Sequence, residues 1–329
     1  VRTGGSPRPA GDSGSNHVLG QPVVVVVGAG VAGLTAARSL VESGAGVIVV
    51  DKSRGVGGRM ATRRIGDAVL DHGAQFVTAR TDWFRAEIQA WEHAGVATPW
   101  FEGTLGADGI TASDGPARHR GVPAMTGIAK HLATGLDVRL STHVDRIHHA
   151  DRRWVIEISD RFPIEADAIV LTAPAPQTLA MLDPASIDSS DRTRLEQIGY
   201  DPCIAVLAVL DGPSGIGHPA ARRPAAGPVA WYADNAGKGI SAVPALTVHA
   251  TAAASRALWE LDDATVVTDL LAGIDLAGAH VVDSHVHRWR FARTAELLPE
   301  AFLLLGGVPP AVAAGDGFGH GLIGRTCAQ

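Results

Sequence analysis

The feature that most constrains this chain is a run of five valines that leads directly into a glycine-rich turn. Residues 23–27 are all valine, and residues 28–33 read Gly-Ala-Gly-Val-Ala-Gly. Small and apolar residues at helical spacing follow over 34–43, and a second apolar run, 47–50, ends at Asp51. A β-branched run without polar residues is typical of a parallel strand that is covered on both faces. The sequence therefore predicts a strand, a tight turn, a helix and a second parallel strand, as in a Rossmann-type unit.

The glycine spacing matches the needs of a phosphate-binding turn. Gly28 permits the tight turn, Gly30 lets a pyrophosphate approach the backbone, and Gly33 lets the helix pack closely on the strand. The first turn of the helix offers free N–H groups and partial positive charge to the phosphates. Asp51 can accept hydrogen bonds from ribose hydroxyls, and it disfavours a 2′-phosphate. We predict dinucleotide binding here rather than an ordinary glycine-rich turn, because Asp51 stands where the ribose would lie.

Composition argues against several other classes of protein. The net charge of −6 provides no basic field for nucleic acid. Cys203 and Cys327, the two cysteines, are too few for a disulfide framework, and the 14 histidines show no metal-site pattern. Residues 1–20 are rich in Gly, Ser, Pro and Arg and predict a disordered tail. We expect a cytoplasmic protein that binds no metal, nucleic acid or membrane.

A second glycine-rich segment follows Asp51. Residues 54–59 read Arg-Gly-Val-Gly-Gly-Arg, and residues 71–76 read Asp-His-Gly-Ala-Gln-Phe. The first of these resembles the second glycine-rich signature of the FAD-containing amine oxidase superfamily, and Arg59 is the candidate for bidentate binding of the pyrophosphate. Together, residues 52–63 and 71–76 are similar to bacterial renalase-type oxidoreductases. The likeness returns at intervals as far as residues 314–316.

The resemblance implies FAD that is bound without a covalent bond. By resemblance, Val144 would contact the adenine, residues 169–174 would close over the nucleotide, and Asp316 would bind the ribityl–phosphate part. The predicted FAD contacts are Gly28, Gly30, Val31, Ala32, Gly33, Asp51, Lys52, Gly58, Arg59, His72, Gly73, Ala74, Gln75, Val144, Ala173, Pro174, Gly315 and Asp316.

The segment after Gly315-Asp316 departs from the family pattern. In the family this signature leads into a glutamate-bearing loop and a helix that opens with Ser-Gly, whose N-terminus faces the flavin. Residues 317–329 contain neither the glutamate nor the Ser-Gly pair. Two alternatives stay open: a divergent turn replaces the helix, or the chain holds flavin less firmly.

Two segments lack the strand–helix alternation of a Rossmann-type unit and predict a second domain. We assign 79–127 and 181–280 to a mixed α+β substrate domain, with a helix over 82–93 that carries Trp83, Phe84, Ile88 and Trp91 on one side. Residues 21–78, 128–180 and 281–329 are assigned to the Rossmann-type FAD-binding domain. The predicted class is thus α/β, with an amine oxidase or p-hydroxybenzoate hydroxylase-like architecture, and flavin and substrate would meet between the domains.

The resemblance also implies a reaction. The chain would oxidise dihydronicotinamide isomers of NAD(P)H to NAD(P)+ by hydride transfer to flavin N5, with oxygen as the electron acceptor. Two alternatives stay open: a flavin amine oxidase or dehydrogenase that acts on a biosynthetic intermediate, and a non-catalytic flavin-binding or interaction protein. Because only 5% of the residues are aromatic, a large aromatic enclosure for an amine is not expected. The candidates for positions beside the flavin ring are Gln75, Trp231, His249, Trp289 and Arg290. Each has a structural alternative, which is packing for the two tryptophans, a hydrogen-bonded core position for His249 and pairing with an acid for Arg290.

Overall fold

The computed structural model describes residues 21–112, 115–307 and 309–319. The tail predicted over residues 1–20 lies outside the described residues. The strands of the first half are β1 (Val23–Val27), β2 (Gly46–Val50), β3 (Thr62–Ile65), β4 (Ala68–Asp71), β5 (Ala97–Phe101), β6 (Thr104–Leu105), β7 (Ile110–Ala112), β8 (Arg118–Gly121), β9 (Asp137–Arg139) and β10 (Val144–Ala150). The later strands are β11 (Arg153–Ile158), β12 (Ile164–Ala166), β13 (Ala168–Leu171), β14 (Gly199–Leu210), β15 (Ala221–Arg222), β16 (Val229–Asp234), β17 (Ala245–Ala250), β18 (Val281–Glu296), β19 (Leu303–Leu305) and β20 (Ala311–Ala313).

The helices lie mainly between these strands. They are α1 (Val31–Glu42), α2 (Asp82–His93), α3 (Thr126–Ala133), α4 (Ala175–Met181), α5 (Ser189–Glu196), α6 (Ala252–Ala257) and α7 (Asp263–Leu271), with short 3₁₀ turns at Gly58–Met60 and Pro184–Ser186. None of the helices in the described part of the chain has both the length and the apolar composition that a membrane span needs.

The valine run forms a central strand of a six-stranded sheet. The strand order is β19-β20-β13-β1-β2-β9, and every neighbouring pair is parallel except β19 with β20. Val25 and Val26 are fully buried, as expected of a strand that is covered on both faces. Chain order reverses between β1 and β13, and ligands of open α/β sheets bind at such a reversal, beyond the carboxyl ends of the strands. The predicted Rossmann-type, α/β class is confirmed.

A second sheet is antiparallel and has the order β15-β16-β17-β14-β18. Its longest strand, β18, pairs with β14 so that Trp289 lies opposite Cys203 and His287 opposite Ala205. The side chains of Val266 and Leu270 from α7 are fully buried in the apolar core of this sheet. The assignment of the remaining segments to two domains stays a prediction.

Helix α2 begins and ends at the predicted residues, but one of its aromatic side chains lies elsewhere than predicted. The Thr81 hydroxyl caps the helix by accepting a hydrogen bond from the backbone N of Phe84. Phe84, Ile88 and Trp91 are buried, whereas Trp83 is 55% exposed. Trp83 precedes the buried stripe by one residue, which is a rotation of about 100° around the helix axis. The expectation that Trp83 shares one side of the helix with the other three was therefore wrong.

Candidate active site

A large cleft opens at the carboxyl ends of β1, β2 and β13. Its volume is about 1220 Å³, above the range of about 300–1,000 Å³ that is usual for ligand sites. It runs from β2 and β10, the end predicted to hold the adenosine and called the adenosine end, to residues 287–291 of β18. The predicted FAD contacts that line it are Gly28, Gly30, Val31, Ala32, Asp51, Lys52, Gly58, Arg59, Val144, Ala173, Pro174, Gly315 and Asp316.

The three glycines of the first turn have different surroundings. Gly28 has a φ of +115°, a region that disfavours other residues, and a Cβ there would lie 2.6 Å from Thr172 Oγ1. A Cβ on Gly33 would lie 1.9 Å from the carbonyl oxygen of Gly28, so the helix packs tightly on the turn. A Cβ on Gly30 would meet nothing within 4 Å. Gly28 and Gly33 therefore shape the turn, while Gly30 keeps the floor of the cleft clear.

Asp51 is held in a fixed orientation at the adenosine end. Its Oδ2 accepts a hydrogen bond from the backbone N of Ala29 at 2.7 Å, and its Oδ1 accepts one from the backbone N of Ser53 at 2.7 Å. A carboxylate has about four acceptor positions, so two remain for the hydroxyls of a ribose. The residue therefore braces the glycine turn and can still bind the nucleotide.

The second glycine-rich segment is joined to the first by the backbone. Gly57 N donates to the carbonyl oxygen of Ala29 at 2.8 Å, and Gly57 forms a bridge with Gly30. Two residues later, the Arg59 guanidinium binds both carboxylate oxygens of Asp316, at 2.5 and 2.6 Å. Both residues were predicted to contact FAD, and the structure brings them together on the cleft wall.

The carboxylate of Asp316 is stabilised in its charged form. Burial alone would raise its pKa, but hydrogen bonds and the charge of Arg59 outweigh this effect. The Thr294 hydroxyl adds a hydrogen bond to Oδ2 at 2.6 Å. The pKa of Asp316 is therefore below its usual range, and the pair stays ionised around neutral pH.

Residues 72–75, which were predicted to contact FAD, are not among the described residues that line the cleft. They lie behind its wall: the backbone N of Ala74 donates to the carbonyl oxygen of Arg59 at 2.8 Å. A Cβ on Gly73 would lie 2.0 Å from that same oxygen, which requires glycine there. The segment therefore supports Arg59 from behind. Its direct contact with FAD stays a prediction.

Three rings meet at the end of the cleft formed by β18, which we call the ring end. Trp289 and His287 line the cleft, and their ring centres are 4.2 Å apart. The ring of His72 stacks on Trp289 at 5.1 Å, and the Trp289 Nε1–H donates to the carbonyl oxygen of His72 at 3.0 Å. His287 and Trp289 alternate along one strand and so share a face. Sequence reasoning did not place His287 beside the flavin ring, although the pattern His-X-Trp over 287–289 could have indicated that it shares a face with Trp289.

The imidazoles near the ring end are neutral. Burial, followed by the charges of His287 and Arg63, lowers the pKa of His72 to about 3. Burial is also the main cause that lowers the pKa of His287 to about 4, and the pKa of His249 to about 4. The site therefore presents uncharged rings at neutral pH.

The five residues predicted beside the flavin ring fall into two groups. Trp289 and Arg290 line the cleft, whereas Gln75, Trp231 and His249 are not among its described lining residues and are 3%, 2% and 0% exposed. His249 Nε2 lies 3.2 Å from the carbonyl oxygen of His72, in contact with the support of the cleft wall. A role of all five in catalysis stays a prediction.

Trp231, predicted to lie beside the flavin ring, belongs to an aromatic cluster. Its ring packs 5.7 Å from Phe76 and 6.3 Å from Trp100, and Phe101 completes the cluster. The low aromatic content argued only against a large aromatic enclosure for an amine, and this expectation stays a prediction. None of these four lines the cleft among the residues described.

One buried ion pair was not predicted from the sequence. Lys238 Nζ lies 2.8 Å from Asp71 Oδ2, and neither side chain is exposed. Lys238 stands between two glycines in the loop that joins β16 and β17, 167 residues from its partner. No local pattern in the sequence links residues so far apart.

The fold and the cleft define a protein that binds a dinucleotide at the carboxyl ends of a Rossmann-type sheet. Residues 26–86 match the family described as an NAD(P)-binding Rossmann-like domain. Residues 104–300, more than half of the chain, match the family described as flavin containing amine oxidoreductase. The chain therefore belongs to the flavin-containing amine oxidoreductase family, whose members are FAD-dependent oxidoreductases, and FAD is its cofactor.

Similar proteins agree with this assignment. Renalase of Mus musculus is 25% identical over 190 residues, which cover 54% of this chain and 55% of that protein, so the match spans about half the length of this relative. The structure of putrescine oxidase bound to putrescine superposes with a TM-score of 0.63 at 18% identity, over 81% of this chain and 84% of that chain. Cyclohexylamine oxidase from Brevibacterium oxydans IH-35A gives a TM-score of 0.63 at 14% identity, over 90% and 93%. The two oxidases share the fold, and renalase supports the renalase-like resemblance.

We expect FAD to be bound without a covalent bond. Cys203 is buried in the second sheet, and it does not line the cleft. Acid precipitation should release the yellow colour into the supernatant. Flavin that stays in the washed pellet would contradict this expectation.

Replacing Asp51 with alanine should weaken FAD more than riboflavin, because only FAD supplies the adenosine ribose. The loss of charge-assisted hydrogen bonds suggests about 1.5–3 kcal/mol of binding free energy. Since Asp51 also braces the turn at Ala29, Asp51→Asn is the matched variant: it keeps an acceptor for one backbone N–H. Fluorescence titrations of both ligands would give the difference, and equal losses for FAD and riboflavin would remove Asp51 from the adenosine site.

Proposed function

We propose that this chain oxidises dihydronicotinamide isomers of NAD(P)H to NAD(P)+ and passes the electrons to oxygen. When bound, FAD supplies the hydride acceptor, N5 of its isoalloxazine ring. The observation that carries the proposal is the ring end of the cleft, whose lining includes Trp289, the neutral His287 and the cationic Arg290. The resemblance to renalase-type oxidoreductases suggests the substrate class.

Neutral rings suit this reaction. Loss of a hydride from a dihydropyridine restores an aromatic pyridinium, so no proton has to be removed from the donor carbon. The product carries a positive charge where the substrate carried none. Uncharged imidazoles at His72 and His287 would not repel that cation, whereas imidazolium rings would.

Arg290 is suited to meet the phosphates of a dinucleotide. Its guanidinium lies 5.6 Å from the ring centre of Trp259, and in the described part of the chain no carboxylate neutralises it. Its neighbour Arg288 is already bound to Asp263 at 2.7 Å and to the carbonyl oxygen of Leu261 at 2.7 Å. Arg290 is therefore the cation of this strand that remains available for an anionic group.

A second candidate is an amine oxidase activity on a biosynthetic intermediate. The aromatic cluster of Phe76, Trp100, Phe101 and Trp231 favours it, because aromatic side chains commonly enclose amines. The cluster lies behind the cleft wall rather than on it, which makes this the weaker candidate.

Anaerobic mixing tests the proposal. The flavin absorbance of the FAD-loaded protein should bleach on addition of the 2- or 6-dihydro isomers and stay unchanged with putrescine. Arg290→Gln should slow reduction by the dinucleotide about tenfold at low concentration, while the corresponding dihydronicotinamide riboside, which lacks phosphates, should be unaffected. Bleaching by an amine alone would overturn the substrate assignment and leave the FAD site intact.

A further inference from the structure

A buried ion pair lies behind the ring end, where the proposed chemistry does not use it. Lys238 Nζ is 2.8 Å from Asp71 Oδ2, with both side chains fully buried. The same ammonium lies 3.4 Å from Gln75 Oε1 and 4.8 Å from the centre of the Trp100 ring. Desolvating two charges is costly, and such a pair is weak support for stability alone. Its contacts suggest a different role.

The Asp71 carboxylate joins three parts of the fold. Besides Lys238 from the β16–β17 loop, it accepts hydrogen bonds at Oδ1 from the Thr62 hydroxyl of β3 at 2.6 Å and from the backbone N of Met125, just before α3, at 3.0 Å. Its backbone carbonyl accepts further bonds from the side chains of Gln75 and Thr247, at 2.6 and 3.0 Å. Asp71 is therefore fixed on every side.

His72, the next residue, links Asp71 to the wall of the cleft. The carbonyl oxygen of His72 accepts the indole N–H of Trp289 at 3.0 Å, and Trp289 lines the ring end. Lys238 holds the segment at both ends, through the side chains of Asp71 and Gln75. A shift of this segment would move the acceptor that orients the indole.

We propose that Lys238 is a positioning residue: through its ion pair with Asp71 it fixes the His72 carbonyl and so orients Trp289 at the ring end. This inference rests on the proposed placement of the flavin ring beside Trp289. Lys238 does not line the cleft, and its ammonium is enclosed by Asp71, Gln75 and Trp100. It acts on the site only through other residues.

The test is a double-mutant cycle read from the visible circular dichroism of bound FAD, which reports the asymmetric surroundings of the ring. Lys238→Met and Trp289→Phe should shift the visible bands in the same way, and the double variant should show no further shift. The rate constant of anaerobic flavin reduction should fall about tenfold in each single variant and no further in the double. Lys130→Met, a change at an exposed lysine of α3, is the matched control and should leave both readouts unchanged.

The outcomes separate the two proposals. If Trp289→Phe leaves the bands unchanged, the ring is not beside Trp289 and the inference falls with that placement. If Trp289→Phe shifts the bands but Lys238→Met does not, the placement stands and the role of Lys238 is overturned. Should Lys238→Met fail to fold, Asp71→Asn, which keeps the shape of the side chain, takes its place. Wild-type bands in Asp71→Asn would then overturn the inference.

Discussion

Replacing Gly30 with valine is expected to leave a folded protein that retains no FAD. The backbone of Gly30 has φ −77° and ψ 176°, an extended conformation that valine adopts readily. A Cβ at this position meets no protein atom within 4 Å, so the fold can accept it. The added side chain would instead stand in the cleft, where the pyrophosphate must approach the backbone.

The measurement is the ratio of flavin to protein after purification with excess FAD, together with far-ultraviolet circular dichroism. Arg152→Ala, at an exposed position, should keep the wild-type ratio. Gly33→Val is the contrasting variant: its Cβ would lie 1.9 Å from the Gly28 carbonyl oxygen, so it should fail to fold rather than fold without flavin. A folded Gly30→Val protein with one FAD per chain would show that the cofactor lies elsewhere.

Replacing Lys238 with methionine should lower the free energy of unfolding by about 3–5 kcal/mol, the usual cost of leaving a buried charge without its partner. The Asp71 carboxylate, with no exposed surface, would keep only the neutral donors of Thr62 and Met125. Burial lowers the pKa of Lys238 and Asp71 raises it, so the two charges depend on each other. Denaturant unfolding would measure the loss.

The double variant Asp71→Asn with Lys238→Met should be more stable than Lys238→Met alone, because no charge is then left buried. Lys130→Met should stay within about 0.5 kcal/mol of the wild type, as is usual at exposed positions. A loss of less than about 1 kcal/mol in Lys238→Met, close to that of an ordinary surface change, would contradict this prediction.

The adenosine end of the site could be predicted because its signals are local. The valine run, the glycine turn and Asp51 are close in sequence, and their spacing fixes their roles in β1, α1 and β2. The ring end depends instead on pairings between distant strands. Trp289 reaches His72 only because β18 lies beside β14, a register that no sequence pattern specifies.

The burial of individual polar side chains also could not be predicted from local sequence patterns. Every residue of β17, which includes His249, is buried, because the strand lies inside the sheet with β14 and β16 on either side. An apolar run shows that a strand is covered, but not whether a polar residue within it faces a cleft or a neighbouring segment. His249 faces the His72 carbonyl.

The two sheet neighbours of β1 are translated at different times, and this order has a consequence for biosynthesis. Its neighbour β2 follows within 25 residues, but its other neighbour β13 is translated long after it, so one edge of the valine run stays unpaired until residues 168–171 have emerged. The antiparallel sheet, by contrast, is encoded in one stretch from β14 to β18 and can pair as it leaves the ribosome. Long-range parallel pairing is slow, and exposed apolar strands aggregate in the meantime. A strand at the centre of the folded sheet is thus an edge strand during much of synthesis, and its valine run is the segment that we expect to need protection from aggregation.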